Sequence, residues 1–258
     1  MSSADSTASS RVLATPEILE MILLELDLRT LLTAAQRVSH TWVRIIKGSP
    51  SLQKALFYQS TQTKTTTPDA IFYNPLLMDA FPSVFPPSML PPRGSASTFS
   101  FGRLKMFRTP EKMDPFLRQE ASWRRMLVQQ PPAQSVVIFQ RVHAQTSDYH
   151  RQYALEGKNT DPHEGITMEM LFEALLFHPK IGCGIGSRTY FLWNHCCPVS
   201  RPSRGDRDIN DAFQKTLTTT DIVIYVRAVM QCSQGGSPIV EEQRWHQIRG
   251  AYRRSRSN

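Results

Sequence analysis

The chain has 258 residues, 40% of them hydrophobic, and a formal net charge of +8, enough for one good-sized domain plus a small one. No apolar run approaches the ~18 residues of a membrane span, and Met21 to Leu26 is broken by Glu25. The polar start MSSADSTASS lacks the charged and apolar regions of a secretory signal, and Cys183, Cys196, Cys197 and Cys232 make no disulfide framework, so the expected setting is the cytoplasm and/or nucleus.

Taken in chain order, residues 1–10 read as a disordered tail and 11–58 as a helical unit. Thr15 is placed to cap a first helix, and Pro16 fits its first position, where a backbone donor is unpaired anyway. At 100° per residue Ile18, Ile22, Leu26, Leu19 and Leu23 form one wide stripe. Met21 and Leu24 fall outside it, between Glu17, Glu20 and Glu25, so the helix is apolar on more than one side. Asp27 opens a second helix with Leu28, Leu31, Leu32 and Ala35. Ser39 opens a third, running through Trp42, Ile45 and Ile46 to Gly48, with Val38 and Val43 spaced as a hydrophobic staple. Ser49-Pro50 then starts a shorter helix with Leu52, Ala55, Leu56 and Phe57. Domains below about 40 residues seldom stand alone, so this unit either caps the rest of the chain or forms half of an interface with another protein.

The residue pattern bears on that choice. Glu17-Ile18-Leu19, Ile22-Leu23, Leu26, Leu31-Leu32, and Val38 with Trp42 four residues on stand in the order and nearly the spacing of the F-box, and the segment resembles that motif. The family's Leu-Pro pair falls here on Ala14-Thr15, with Leu13 and Pro16 one step away, and one extra residue precedes Val38, around Gln36-Arg37. Asn74-Pro75-Leu76-Leu77 with Phe81-Pro82, and Glu120 to Leu127 ending in Pro131-Pro132, are similar to F-box proteins of filamentous fungi. The resemblance implies a Skp-type adaptor as partner and, through it, cullin. It also implies a docking set of Pro16, Ile18, Leu19, Ile22, Leu23, Leu31, Leu32, Val38, Trp42 and Ile46. Trp42 is expected to matter most there, because aromatic anchors dominate interface energies.

Residues 59–110 turn to Thr, Ser and Pro, yet Phe72, Tyr73, Leu76, Leu77, Phe81 and Phe85 are too apolar for a free linker. The expectation is ordered coil lying across the C-terminal core, loosest at Thr61–Thr67 and Arg93–Thr98. From 111 to 235 an α+β domain with an incomplete sheet is expected, as the target-binding part. Its elements are a helix over Asp114–Gln129, a strand over Ser135–Val142, a helix over Thr167–Phe177, and strands over Arg188–Asn194 and Asp221–Gln231. PVSRPSRGDRD, between the last two, reads as a polar loop. Residues 236–258 carry Arg244, Arg249, Arg253, Arg254 and Arg256, with no acidic residue from Arg244 onward. That stretch reads as a solvated basic tail, with nucleic-acid binding by counterion release as the weaker reading.

No site for chemistry stands out. His195-Cys196-Cys197 with Cys183 lacks the two spaced ligand pairs of a structural zinc site. His143, His150, His163, His178, His195 and His246 are scattered, with no orienting acid at a recognisable spacing. Gly182 to Gly186 reads as a turn, not a dinucleotide fingerprint. With no such site, the F-box resemblance implies a non-catalytic subunit with no metal or cofactor, which binds the adaptor through its helices and holds an unidentified protein target with its C-terminal domain. The alternatives are adaptor binding outside ubiquitin ligation and basic nucleic-acid binding.

Overall fold

The computed structural model describes residues 15–61, 71–85, 98–144, 147–155, 165–179, 181, 188–194, 207–229 and 240–257. Four helices come first: α1 (Pro16–Leu24), α2 (Leu28–Thr33), α3 (His40–Gly48) and α4 (Pro50–Ala55), with a 3-10 turn at Ala35–Arg37 before α3. Then follow β1 (Phe72–Tyr73), α5 (Pro75–Ala80), α6 (Pro110–Phe116), α7 (Ser122–Arg125), β2 (Gln129–Gln130), β3 (Val136–His143) and β4 (Tyr149–Leu155). The chain continues through α8 (Met168–Phe177), β5 (Arg188–Trp193), α9 (Arg207–Thr219), β6 (Ile222–Val229) and α10 (Val240–Ser257). The fold is α+β: N-terminal helices, then a C-terminal domain with small sheets.

Side-chain caps open α2, α3 and α4, whereas Thr15, placed to cap α1, makes no side-chain cap bond. Asp27 accepts from the Arg29 and Thr30 amides at 3.0 Å each, and Ser39 Oγ accepts from the Trp42 amide at 3.3 Å. Ser49 Oγ accepts from the Leu52 amide at 3.2 Å and donates to Glu20 Oε1 at 2.6 Å, tying the start of α4 to α1. Inside, Leu19, Leu23, Leu31, Ala35, Ile46, Leu52 and Leu56 form the unit's own core. Leu32 and Tyr58 pack against both that core and the large one beyond it.

The junction is a backbone joint. Tyr58 N donates to Gln53 O at 2.9 Å and Phe57 N to Lys54 O at 3.0 Å, the paired bonds of a Schellman ending to α4. Phe57 occupies the left-handed position with φ of 60°, where glycine is usual. This conformation aims its carbonyl at the Leu127 amide, 2.8 Å away. Gln130 adds donors to Lys54 O at 2.8 Å and Gln59 O at 3.1 Å.

In the C-terminal domain the larger sheet runs β4-β3-β6-β5, with β3 and β6 parallel at its centre and antiparallel neighbours outside. Period-two alternation sends Val136, Ile138, Ile222, Ile224, Val226, Phe191 and Trp193 into the large core. The opposite face, with Phe139, Val223, Leu192 and Tyr225, packs on Ile209, Ala212, Phe213 and Leu217 of α9. The large core also takes Phe81, Val84, Phe85, Phe99, Phe101, Leu104 and Phe107 from the Pro-rich stretch. That stretch is built partly of short helices, α5 being capped by Asn74 through the Leu76 and Leu77 amides at 3.1 and 3.2 Å. Residues 62–67 and 93–97, expected to be its loosest parts, lie outside the described residues, as do the tail 1–10, every cysteine and His195.

Several expectations are corrected. The single helix over Asp114–Gln129 is instead α6 and α7 with an extended run after them. Pro115 brings no amide to α6, and Met126, Leu127 and Val128 give their backbone to partners elsewhere: Leu127 N to Phe57 O, Val128 N to Ile166 O at 3.2 Å and Met168 N to Met126 O at 2.9 Å. Trp123 and Met126 are nonetheless core residues. The polar loop after β5 gives way at Arg207 to helix α9, and residues 198–206 lie outside the described residues. Strand β4 was not expected; its residues are half-buried or exposed, so the edge carries little apolar signal.

The basic tail is likewise not a solvated end but helix α10, whose Trp245, Ile248, Ala251 and Tyr252 are buried in the large core. Tyr252 Oη donates within a cluster of Glu169 Oε1 at 2.9 Å and Glu173 Oε1 at 3.0 Å. Burial first, and then those two carboxylates, pushes its hydroxyl far above the usual tyrosine range. The unfolded chain ionises this group near pH 10 while the folded chain keeps it neutral. Its share of stability is therefore present below that pH and lost as pH rises beyond it. Tyr252→Phe is expected to flatten the fall of stability above pH 10, read by urea melts across that range.

Candidate functional site

The docking set implied by the sequence divides into two groups. Leu19, Leu23, Leu31 and Ile46 are closed inside the helical unit, so they shape it and present nothing to a partner. This corrects their assignment as contact residues: four amphipathic helices crossing at their leucines bury that stripe among themselves. Leu32 is half-buried at the joint with the large core, and Trp42 is half-buried against the helical core. Pro16 is exposed at the start of α1.

Ile18, Ile22 and Val38 remain open to solvent at 39%, 38% and 59% exposure, and Met21, outside the expected set, is at 67%. On a 100°-per-residue wheel Ile18, Ile22 and Met21 share an arc of about 100°, turned away from the arc of Leu19 and Leu23. Leu24 is exposed too, further round the helix. The signal that could have found Met21 and Leu24 was in the sequence: a helix apolar on two sides has one side left over once its core face is packed. On the same wheel Glu17 lies about 40° beyond Met21 and Glu25, the residue that ends α1, falls within the arc; both are exposed. Bonds from the Thr30 hydroxyl and amide hold the Asp27 carboxyl below its usual range, so the start of α2 stays anionic.

A cleft of 580 Å³ lies between the helical unit and the C-terminal domain, lined by Leu32, Gln36, Lys47, Tyr58, Glu120 and Arg125 among others. The Arg125 guanidinium stands 4.6 Å over the Tyr58 ring. No histidine or cysteine lines the cleft, and no group of metal-binding side chains occurs among the described residues.

One histidine does have an orienting acid that the sequence left unseen. His143 Nδ1 lies 2.7 Å from Asp148 Oδ2, while its Nε2 accepts from Arg227 Nε at 3.0 Å. A guanidinium can only donate, so the imidazole is neutral, with its proton on Nδ1. Neither nitrogen is left to take a proton from a nucleophile, and the pair reads as a positioning device. Burial works to raise the Asp148 carboxyl, but bonds from Arg141 and His143, with the Arg141 charge, outweigh it and hold it below the usual range.

Of the tail arginines, Arg249 lies over the Trp245 and Phe177 rings and Arg253 over Phe177, at 4.8 to 5.4 Å, and Arg256 pairs with Glu173. These contacts fix the helix and reduce what the tail can offer a polyanion. No helix among the described residues is long and apolar enough to cross a membrane. Compared with known proteins, the chain matches no family model, no curated protein and no solved structure.

Proposed function

We propose that this chain is an F-box-type receptor subunit that docks a Skp-type adaptor through its N-terminal helices and holds a protein target with its C-terminal domain. The observation that carries this reading is the row Ile18, Met21 and Ile22 on α1, apolar and open to solvent beside exposed acids. A soluble chain keeps such a row where another protein covers it. The receptor itself supplies no chemistry; it raises the local concentration of target lysines near a ubiquitin-charged enzyme.

Co-expression with a Skp-type adaptor and cullin tests it. The Ile18→Asp, Ile22→Asp double variant changes only exposed positions, so its melting temperature is expected to stay that of the wild type. Its adaptor capture is expected to fall more than about tenfold, since each buried anchor at an interface is worth roughly 1–2 kcal/mol. Full capture by the double variant would overturn the reading. Adaptor recovered without cullin would assign the chain to adaptor binding outside ubiquitin ligation.

A further inference from the structure

The larger sheet carries a charge arrangement that the fold does not need. Register places Arg141 opposite His150 on β4 and opposite Arg227 on β6, and Arg227 opposite Arg188 on β5. Residues directly opposite one another share a face. Three arginines and a histidine therefore form one cross-strand row, at the end of the face that α9 covers further down. Strands lie about 4.8 Å apart, so the three arginines span about 10 Å. Like charges side by side on adjacent strands destabilise a sheet. Asp148 relieves only one end, bonding Arg141 at 3.0 and 3.3 Å and His143 at 2.7 Å. Asp208 and Asp211 of α9 form no ion pair with the row, and among the described residues Arg188 has no carboxylate partner.

Arg227 is also aimed. Asp148 orients His143, and His143 Nε2 takes the Arg227 Nε–H at 3.0 Å, fixing the guanidinium from behind. Its two Nη groups have no hydrogen-bond partner among the described residues, and Arg227 is exposed, with Arg188 as the next side chain in the row. In the row beneath, Tyr225 packs on Phe213 and Phe139 and Tyr190 leans on Tyr225. Those rings are occupied, so no platform is offered for stacking a nucleic-acid base.

We propose that Arg227 and Arg188, with Arg141 behind them, form a binding site for a phosphate monoester. Two neighbouring guanidinium forks suit a dianion with three free oxygens, whereas a phosphodiester brings a single charge and fewer acceptors. The chemistry is shared by a phosphorylated protein side chain and by free phosphate, and the site is independent of what α1 docks.

The test uses the full chain with inorganic phosphate, titrated against chloride at constant ionic strength and followed by calorimetry and thermal melting. Phosphate is expected to bind and raise the melting temperature. Arg188→Gln and Arg227→Gln are each expected to weaken binding about tenfold, the scale of losing a charge-assisted hydrogen-bond pair. Arg151→Gln, on the opposite face of β4, is expected to leave binding unchanged. Without phosphate, Arg188→Gln is expected to melt no lower than wild type, because it removes a repulsion; a structural arginine would show the reverse. A short phosphoserine peptide binding more tightly than inorganic phosphate assigns a phosphoprotein as the source, and equal affinity assigns free phosphate. Phosphate acting no differently from chloride, or unchanged binding in both variants, would overturn the proposal. So would tighter capture of oligouridylate that the same variants abolish.

Discussion

Replacing Arg124 with alanine is expected to cost about 3 kcal/mol of stability, the low end of the range for breaking a buried ion pair, because the Glu169 side chain is 33% exposed. Arg124 is buried at 2% exposure. Its Nη1 donates to Glu169 Oε1 at 2.9 Å, and its Nη2 to Leu117 O at 2.6 Å and Ser255 Oγ at 3.1 Å. The guanidinium also stacks over the Tyr252 ring at 4.3 Å. One side chain thus ties α7 to the turn after α6, to α8 and to α10. Its removal orphans a carbonyl inside the protein and leaves the Glu169 carboxylate with only Tyr252. Arg124→Met is the informative companion, because an apolar side chain of similar length is expected to recover part of the loss. Denaturant melts of the two variants measure the difference. Equal stability of wild type and Arg124→Ala would show that α10 is held by its apolar contacts alone.

Phe172→Ala is expected to cost about 3–5 kcal/mol, as large aromatic truncations in a core do. Phe172 of α8 is fully buried and has the rings of Phe81, Phe101, Phe107, Trp123 and Tyr252 around it at centroid distances of 5.0 to 6.1 Å. Four stretches of chain meet on this one side chain: the segment around α5, the turns from Phe101 to Phe107, α7, and α10. Edge-to-face pairs add about 0.5–1.5 kcal/mol each beyond burial, so the loss is expected to exceed that of a peripheral phenylalanine. Phe139→Leu, on the other face of the sheet under α9, makes a suitable comparison by thermal melting. A Phe172→Ala chain as stable as wild type would mean that the five rings close over the gap.

Much of the helical unit was legible because its signals are local. Asp27, Ser39 and Ser49 cap the next amides along, and such bonds need no distant partner. Strands β3, β5 and β6 were equally readable from β-branched and aromatic runs. The expected helix over Asp114–Gln129 failed for the opposite reason. Its last residues have backbone partners at Phe57 and Ile166, far away in sequence, and a periodicity reading cannot see them. The tail failed because five arginines outweighed Trp245, Ile248 and Tyr252, which sit one turn apart and bury together. Strand β4 gave no warning, since an edge strand needs backbone pairing more than apolar side chains.

For the candidate docking face, the pattern along the chain already showed that helix α1 has more apolar residues than one core can take. Only packing could decide the division, because the wide stripe is nearly continuous and any part of it could have faced inward. Four short helices closing on Leu19, Leu23, Leu31 and Ile46 left Ile18, Met21 and Ile22 outside. The arginine row was beyond any linear reading as well. Arg141, Arg188 and Arg227 are neighbours only because β3, β5 and β6 share a sheet in one register. Local chemistry determines where short elements begin and end; which faces they hide, and which charges meet, belongs to contacts between residues remote along the chain.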